Sequence, residues 1–121
     1  MDNIKSIIEN IWDDRSLLTT QDSKDAIRSV VEMVDQGKLR VAEPDGDSWK
    51  VNDWVKKAIV LYFPIQQMET IEVGPFEFYD KIPLKKNFAA QGVRVVPHAL
   101  ARYGSFIESG AILMPSYVNI G

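Results

Sequence analysis

The last twenty residues, Arg102 to Gly121 (RYGSFIESGAILMPSYVNIG), carry a six-residue period, and no other feature of the chain restricts its fold so tightly. One phase holds Leu100, Phe106, Ile112 and Val118; another holds Gly104, Gly110 and Ser116. A bulky apolar residue and a small one recurring at a fixed offset mark a parallel β-helix, in which each hexapeptide forms one flat face of a triangular coil. Such a coil covers its core only when stacked on another, and about three repeats are needed for stability. The sequence holds roughly one coil. It therefore reads as part of a longer protein whose chemistry lies mostly beyond residue 121.

The residues before the repeat follow other rules. Ile4, Ile7, Ile8, Ile11 and Trp12 recur at offsets of three and four, which predicts an amphipathic helix that Asp2 or Asn3 can cap. A second helix is expected after TTQDS, with Asp22 or Ser23 as N-cap, a stripe of Ile27, Val30, Val31 and Val34, and Gly37 as the left-handed stop. The short polar link between the two predicts an antiparallel pair. Leu39 to Glu43 and Trp49 to Val51 flank Pro44-Asp45-Gly46-Asp47 and predict a small hairpin. A third helix capped by Asn52 or Asp53 ends at Pro64; it is nearly apolar after Lys57 and is expected to be the most buried. Ile71 and Val73, then Gly74-Pro75, then Phe76 and Phe78 predict a second hairpin. Tyr79 to Lys86 reads as a connection, and Gly92 to Pro97 as a strand entering the repeat. The fold class is thus α+β: a small helical N-terminal domain with β-hairpins (1-97), followed by the first coil of a hexapeptide-repeat β-helix (98-121).

With 121 residues the chain can bury about two-thirds of its unfolded surface without staples. It has no cysteine, which excludes disulfides, thiolate metal sites and a Cys nucleophile. The N-terminus lacks the uninterrupted apolar core of a signal peptide, and the longest apolar run, Ala58 to Phe63, is far below the roughly 20 residues of a membrane span. The location expected is cytoplasmic. A net charge of −3 with lysines and arginines scattered singly or in pairs, such as Lys56-Lys57 and Lys85-Lys86, argues against nucleic acid as a partner.

Few residues carry chemistry. His98 is the only histidine, beside Pro97 and without a recognisable orienting group, and reads as structural or merely exposed. No metal-ligand spacing, phosphate loop or nucleophile elbow occurs, and the Asp13-Asp14 pair and the Asp45 to Asp47 turn read as solvated charge. Arg94 differs. It lies inside Val93-Arg94-Val95-Val96, where alternation puts Val93 and Val95 on one face and Arg94 and Val96 on the other. A guanidinium there can clamp a substrate carboxylate bidentately, or serve as a rim arginine or an ion pair.

Six segments together resemble the N-terminal part of the tetrahydrodipicolinate N-succinyltransferase family along the whole chain: IIENIWDDR, GKLRVAE, WVKKAIVLYF, FYDKIPLK, GVRVVP and ILMPSYVNIG. The resemblance implies a left-handed parallel β-helix, a homotrimer, and acyl transfer from succinyl-CoA as co-substrate to the amino group of an acyclic form of tetrahydrodipicolinate. It implies neither a metal nor a covalent acyl-enzyme, and catalytic groups that belong to later coils. In the family the arginine of the motif matching GVRVVP contacts a substrate carboxylate, which makes Arg94 the substrate-binding residue implied here. Lys86 to Gln91 looks shorter than in many relatives, and His98 stands where a second proline is common. A non-catalytic interaction module using Phe106, Ile112, Leu113, Met114, Tyr117, Val118 and Ile120 for assembly, and a related CoA-dependent N-acetyltransferase, are the alternatives.

Overall fold

The computed structural model describes residues 2–121, and their order is three long helices with one hairpin among them, a second hairpin, a one-turn helix and a short coil of parallel-paired strands. Helices α1 (Asp2–Asp13), α2 (Gln21–Asp35) and α3 (Asp53–Ile65) pack on one another, with a 3₁₀ turn at Arg15–Thr19 joining the first two. The predicted stripes face inward: Ile8 and Ile11 from α1, Ile27, Val30, Val31 and Val34 from α2, and Val55, Ala58, Leu61 and Tyr62 from α3 form one core. Each fully buried Ile, Leu or Val contributes about 1.5–3 kcal/mol of transfer free energy. Tyr103 and Ile120 from the coil pack against this same core.

The helix ends differ in detail from the sequence reading. Asp2 and Asn3 lie within the first turn of α1. Thr20, in extended conformation, caps α2: its Oγ1 accepts the Ser23 N–H at 3.2 Å. Asp22 is therefore a first-turn carboxylate, and the Ser23 hydroxyl receives the Thr20 hydroxyl proton instead of capping. At the other end Gly37, at φ 76°, stops α2 as expected; its N–H and that of Lys38 reach back to the carbonyls of Val34 and Met33, the paired bonds of a Schellman motif. In α3, Val55, Ala58, Ile59, Leu61 and Tyr62 are buried, while Val60 stays exposed at 40%.

The first hairpin pairs β1 (Ala42–Asp45) with β2 (Ser48–Val51), so pairing runs closer to Gly46 than predicted, and Leu39 and Val41 are released to the helical core. The second pairs β3 (Glu69–Val73) with β4 (Phe76–Asp80) across Gly74-Pro75, with Ile71 opposite Phe78 and Val73 opposite Phe76. A one-turn helix, α4 (Phe88–Gln91), lies within the stretch Lys86 to Gln91 that precedes the strand of Arg94. The coil follows. Strand β5 (Arg94–Val95) runs parallel to β7 (Ile112–Leu113), Arg94 opposite Ile112, and β6 (Leu100–Ala101) parallel to β8 (Tyr117–Val118), Leu100 opposite Tyr117. The offsets are 18 and 17 residues, close to three hexapeptides.

Inside the coil, Val93, Ala101 and Ile107 are buried, with Val95, Leu113 and Val118 packed on them. The residues that turn toward this small core, Val95, Ala101, Ile107 and Leu113, stand six apart. Phe106 and Ile112, in the phase noted from the sequence, face outward at 39% and 56% exposure. The slip is one residue, which exchanges the two faces of a strand.

Candidate functional site

Arg94 opens β5 because the chain is turned into the coil just before it. Gly92 ends α4 at φ 72°, its carbonyl accepts the Gly110 N–H at 2.8 Å, and the Arg94 N–H then donates to the Ala111 carbonyl at 3.1 Å. Val93 enters the small core, Val95 packs against it, and alternation leaves the Arg94 side chain outside, as the sequence predicted. Across the strand it stands beside exposed Ile112, with Met114 exposed two residues further on.

The five arginines are not equivalent. Arg15 stacks over Trp12, Arg28 donates to the Ile65 carbonyl, Arg40 pairs with Glu108, and Arg102 holds Asp80 at 2.9 Å and Asn119 at 3.2 Å. Arg94 alone among them has no side-chain hydrogen bond, ion pair or aromatic contact with the described residues. Five N–H donors in a planar fork therefore face solvent, the arrangement suited to a carboxylate brought from outside the chain.

The coil is tied to the helices by a residue pair whose role the sequence reading passed over. Lys85 is buried, with its Nζ 2.8 Å from Asp35 Oδ1 and 3.1 Å from the Asp35 carbonyl, which places a cation at the C-terminus of α2. The same Asp35 oxygen accepts the Gly104 N–H at 2.8 Å, and the Lys85 N–H donates to the Ala101 carbonyl. One carboxylate thus joins α2, the segment leading to α4 and the corner of the coil. No local signal marked this role; a double lysine ordinarily reads as solvated.

His98 is exposed and meets the Phe76 ring edge-on at 5.7 Å, at the lip of an apolar groove of about 490 Å³ between the second hairpin and the coil. It has no hydrogen bond to another described residue. Asp14 accepts the Ser16 N–H and hydroxyl, a capping role, and among the described residues no group of three His, Asp or Glu side chains is placed to hold a metal ion. A larger polar cleft of about 850 Å³ lies between α1, residues 37–40, the first hairpin and the start of α3. Its Lys57 is paired with Glu9, whose hydrogen bond raises the lysine pKa. Burial raises the Tyr103 phenol well above its ordinary value, aided by the hydrogen bond it donates to Glu32 at 2.7 Å. No helix among the described residues is long and apolar enough to cross a membrane.

Residues 3–65 match the family model described as "Tetrahydrodipicolinate N-succinyltransferase N-terminal". The chain is 47% identical over 129 aligned positions to the 2,3,4,5-tetrahydropyridine-2,6-dicarboxylate N-succinyltransferase of Paracidovorax citrulli, covering 98% of this chain and 47% of that protein. It is 44% identical to the namesake of Cupriavidus necator, with the same coverage, and 42% identical to that of Pseudoalteromonas translucida, covering 100% of this chain and 48% of the relative. The chain spans about half the length of the curated relatives it matches. The aligned stretch is longer than the chain, so these relatives carry residues with no counterpart here.

Proposed function

Given that this chain belongs to the tetrahydrodipicolinate N-succinyltransferase N-terminal family, we propose that it is the substrate-orienting part of an acyltransferase that moves a succinyl group from succinyl-CoA to the amino group of tetrahydrodipicolinate, a cytoplasmic step toward diaminopimelate and lysine. The observation that carries this reading is Arg94: a guanidinium with no partner of its own, on a strand fastened to the coil, in a chain whose relatives bear the name of a dicarboxylate acyltransferase.

In this reading the Arg94 fork holds one substrate carboxylate by paired N–H···O bonds, which fixes where the substrate amine points. Water adds across the cyclic imine and opens it to the acyclic amino ketone; that amine nitrogen attacks the thioester carbonyl, the C–N bond forms, the C–S bond breaks, the amine gives up a proton and CoA leaves as the thiol. The groups that take the amine proton and hold the CoA arm lie outside these 121 residues, so the catalytic residues are not in this chain. The division near Pro97 separates the helical unit, 1-97, from the first coil of a left-handed β-helix, 98-121, with Val93 and Val95 lending side chains to the coil core. Parallel pairing at offsets near three hexapeptides supports the coil, and the outward, uncovered Ile112, Met114 and Tyr117 support assembly as a homotrimer in the longer parent.

The test is CoA release from succinyl-CoA in the presence of tetrahydrodipicolinate. The full-length parent turns over and this 121-residue chain does not. Robust turnover by the short chain contradicts the placement of the catalytic groups, and a parent active only with acetyl-CoA replaces the acyl donor.

A further inference from the structure

No hydrogen bond, ion pair or aromatic contact holds the Arg94 side chain among the described residues, so its direction is set by the backbone that carries it. That backbone is fastened on both sides. The Val93 N–H donates to the Phe88 carbonyl at 3.0 Å and the Gly110 N–H to the Gly92 carbonyl at 2.8 Å, while the Arg94 N–H donates to the Ala111 carbonyl at 3.1 Å. The segment before it closes on itself: α4 is bracketed by two left-handed residues, Asn87 at φ 67° and Gly92 at φ 72°, and the Gln91 amide donates to the Lys86 carbonyl at 2.7 Å. The chain enters β5 through a single corner, Gly92.

That corner has no room for a side chain. A Cβ added at Gly92 overlaps Ser109 Oγ and stands 3.2 Å from Ser109 Cβ. Turning the hydroxyl to another rotamer relieves the first contact but not the second, so the backbone at Ser109 or at Gly92 must give by a few tenths of an ångström. Gly110 and Ala111, which hold Gly92 and Arg94, follow Ser109 directly, so the shift passes into the bonds that place Arg94. A binding constellation tolerates only about 0.5 Å of displacement, and a long side chain without a contact of its own enlarges any rotation at its Cα. The left-handed φ alone does not single out Gly92, because Gly46 and Gly74 share it at turns where an added Cβ meets nothing within 4 Å. Gly37 and Gly104 are crowded by Phe106, Ile120 and Val31, none of which pairs with β5. On the reading of Arg94 as the carboxylate clamp, we infer that Gly92 is a positioning residue for it: the bare corner lets the 109–111 segment close on β5 and so aims the guanidinium at the substrate.

Kinetics and melting of the full-length parent test this role, with Gly46→Ala as a control that adds left-handed strain without a contact. Gly92→Ala is expected to raise the KM for tetrahydrodipicolinate by about 3–10-fold, below the roughly 100-fold that a 1 Å misplacement can cost, and to leave the KM for succinyl-CoA unchanged. Ser109→Gly in the same chain removes the obstructing atoms and returns that KM to within about twofold of wild type. The melting temperature falls by about 2–4 °C in Gly92→Ala and in Gly46→Ala and is not restored by Ser109→Gly, because the left-handed strain stays; Gly46→Ala keeps the wild-type KM. In an Arg94→Ala background, Gly92→Ala adds nothing further to KM, since the side chain it aims is gone. Gly92→Asn brings the same Cβ on a residue type that accepts a left-handed φ, as Asn87 does here, and shows the same rise in KM even where alanine prevents folding. A wild-type KM in Gly92→Asn, a rise that Ser109→Gly does not reverse, or a rise that persists on top of Arg94→Ala overturns the positioning role and leaves Arg94 as the clamp. A wild-type KM in Arg94→Ala itself removes the clamp, and the role of Gly92 with it.

Discussion

Replacing Asp35 by Ala is expected to be the most damaging single polar substitution in this chain. The Asp35 carboxylate is 2.8 Å from the Lys85 ammonium and 2.8 Å from the Gly104 nitrogen, with side-chain exposures of 16% for Asp35 and 3% for Lys85. Removing it leaves the largely buried Lys85 ammonium with only the Asp35 backbone carbonyl at 3.1 Å. Breaking a buried pair from one side costs about 3–5 kcal/mol, because the surviving charge is uncompensated. Against a total of about 6–18 kcal/mol for a chain of this size, that is a large share. With a urea m value of about 1.5 kcal/mol per M, the midpoint followed by far-ultraviolet circular dichroism falls by about 2–3 M. Asp35→Asn keeps an acceptor for the Gly104 N–H and loses only the charge, so it costs less, about 2 kcal/mol. Asp35→Leu combined with Lys85→Met removes both charges and recovers most of the loss, since a buried pair replaced by apolar side chains is often near neutral. Equal midpoints for wild type and Asp35→Ala, or a double variant that is additive, would refute the claim that this carboxylate fastens the coil to the helices.

Gly104 sits at φ +92°, and an added Cβ lies 2.6 Å from Ile120 Cγ1 and 3.2 Å from Val31 Cγ1, so Gly104→Ala is expected to lower stability by about 1–2 kcal/mol from backbone strain alone, read as a lower melting temperature. Tyr103 has its phenol pKa raised in the folded chain, chiefly by burial. The unfolded chain therefore loses this proton first: the contribution of Tyr103 is complete below about pH 10 and declines as pH rises above it. Urea midpoints of Tyr103→Phe measured from pH 9 to 11 fall less steeply than those of wild type; parallel curves contradict the assignment. Trp49→Ser, at a side chain 68% exposed on the first hairpin, changes stability by less than about 0.5 kcal/mol in the isolated chain, and a larger loss reveals a contact the fold does not contain.

Much of this architecture was legible because periodicity and burial are coupled. Offsets of three and four put Ile8, Ile11, Val30 and Val31 in the core, and alternation put Arg94 outside it, since both patterns follow from backbone geometry alone. A spacing of six is shared by the sequence pattern and by the inward residues Val95, Ala101, Ile107 and Leu113, but which residues turn inward was not legible. Phe106-Ile107 and Ile112-Leu113 are adjacent apolar pairs, so hydrophobicity is silent on which member turns inward, and the parallel register decides it. The cap of α2 was misplaced because Asp22, Ser23 and Thr20 are all competent; local dihedrals selected Thr20. Lys85 lay beyond any local rule. Its partner is fifty residues earlier, and the lysine beside it, Lys86, is exposed, so nothing in the dipeptide separates them. The same holds for Arg94, whose direction follows from its neighbours but whose lack of a partner is a property of the whole surface.

The claim that Arg94 orients a substrate carboxylate is tested most directly by steady-state kinetics of Arg94→Ala and Arg94→Lys in the full-length parent, with tetrahydrodipicolinate varied at saturating succinyl-CoA. The Arg94 side chain has no contact to lose within its own chain, so the melting temperature of the parent is expected to hold within about 2 °C, the shift of a change near 0.5 kcal/mol. The KM for tetrahydrodipicolinate rises by about 10–100-fold in Arg94→Ala, as expected for losing a charge-assisted pair worth about 1.5–3 kcal/mol, while the KM for succinyl-CoA is unchanged. Arg94→Lys recovers part of the loss, because an ammonium supplies the charge without the fork. A KM for tetrahydrodipicolinate equal to that of wild type in Arg94→Ala contradicts the account.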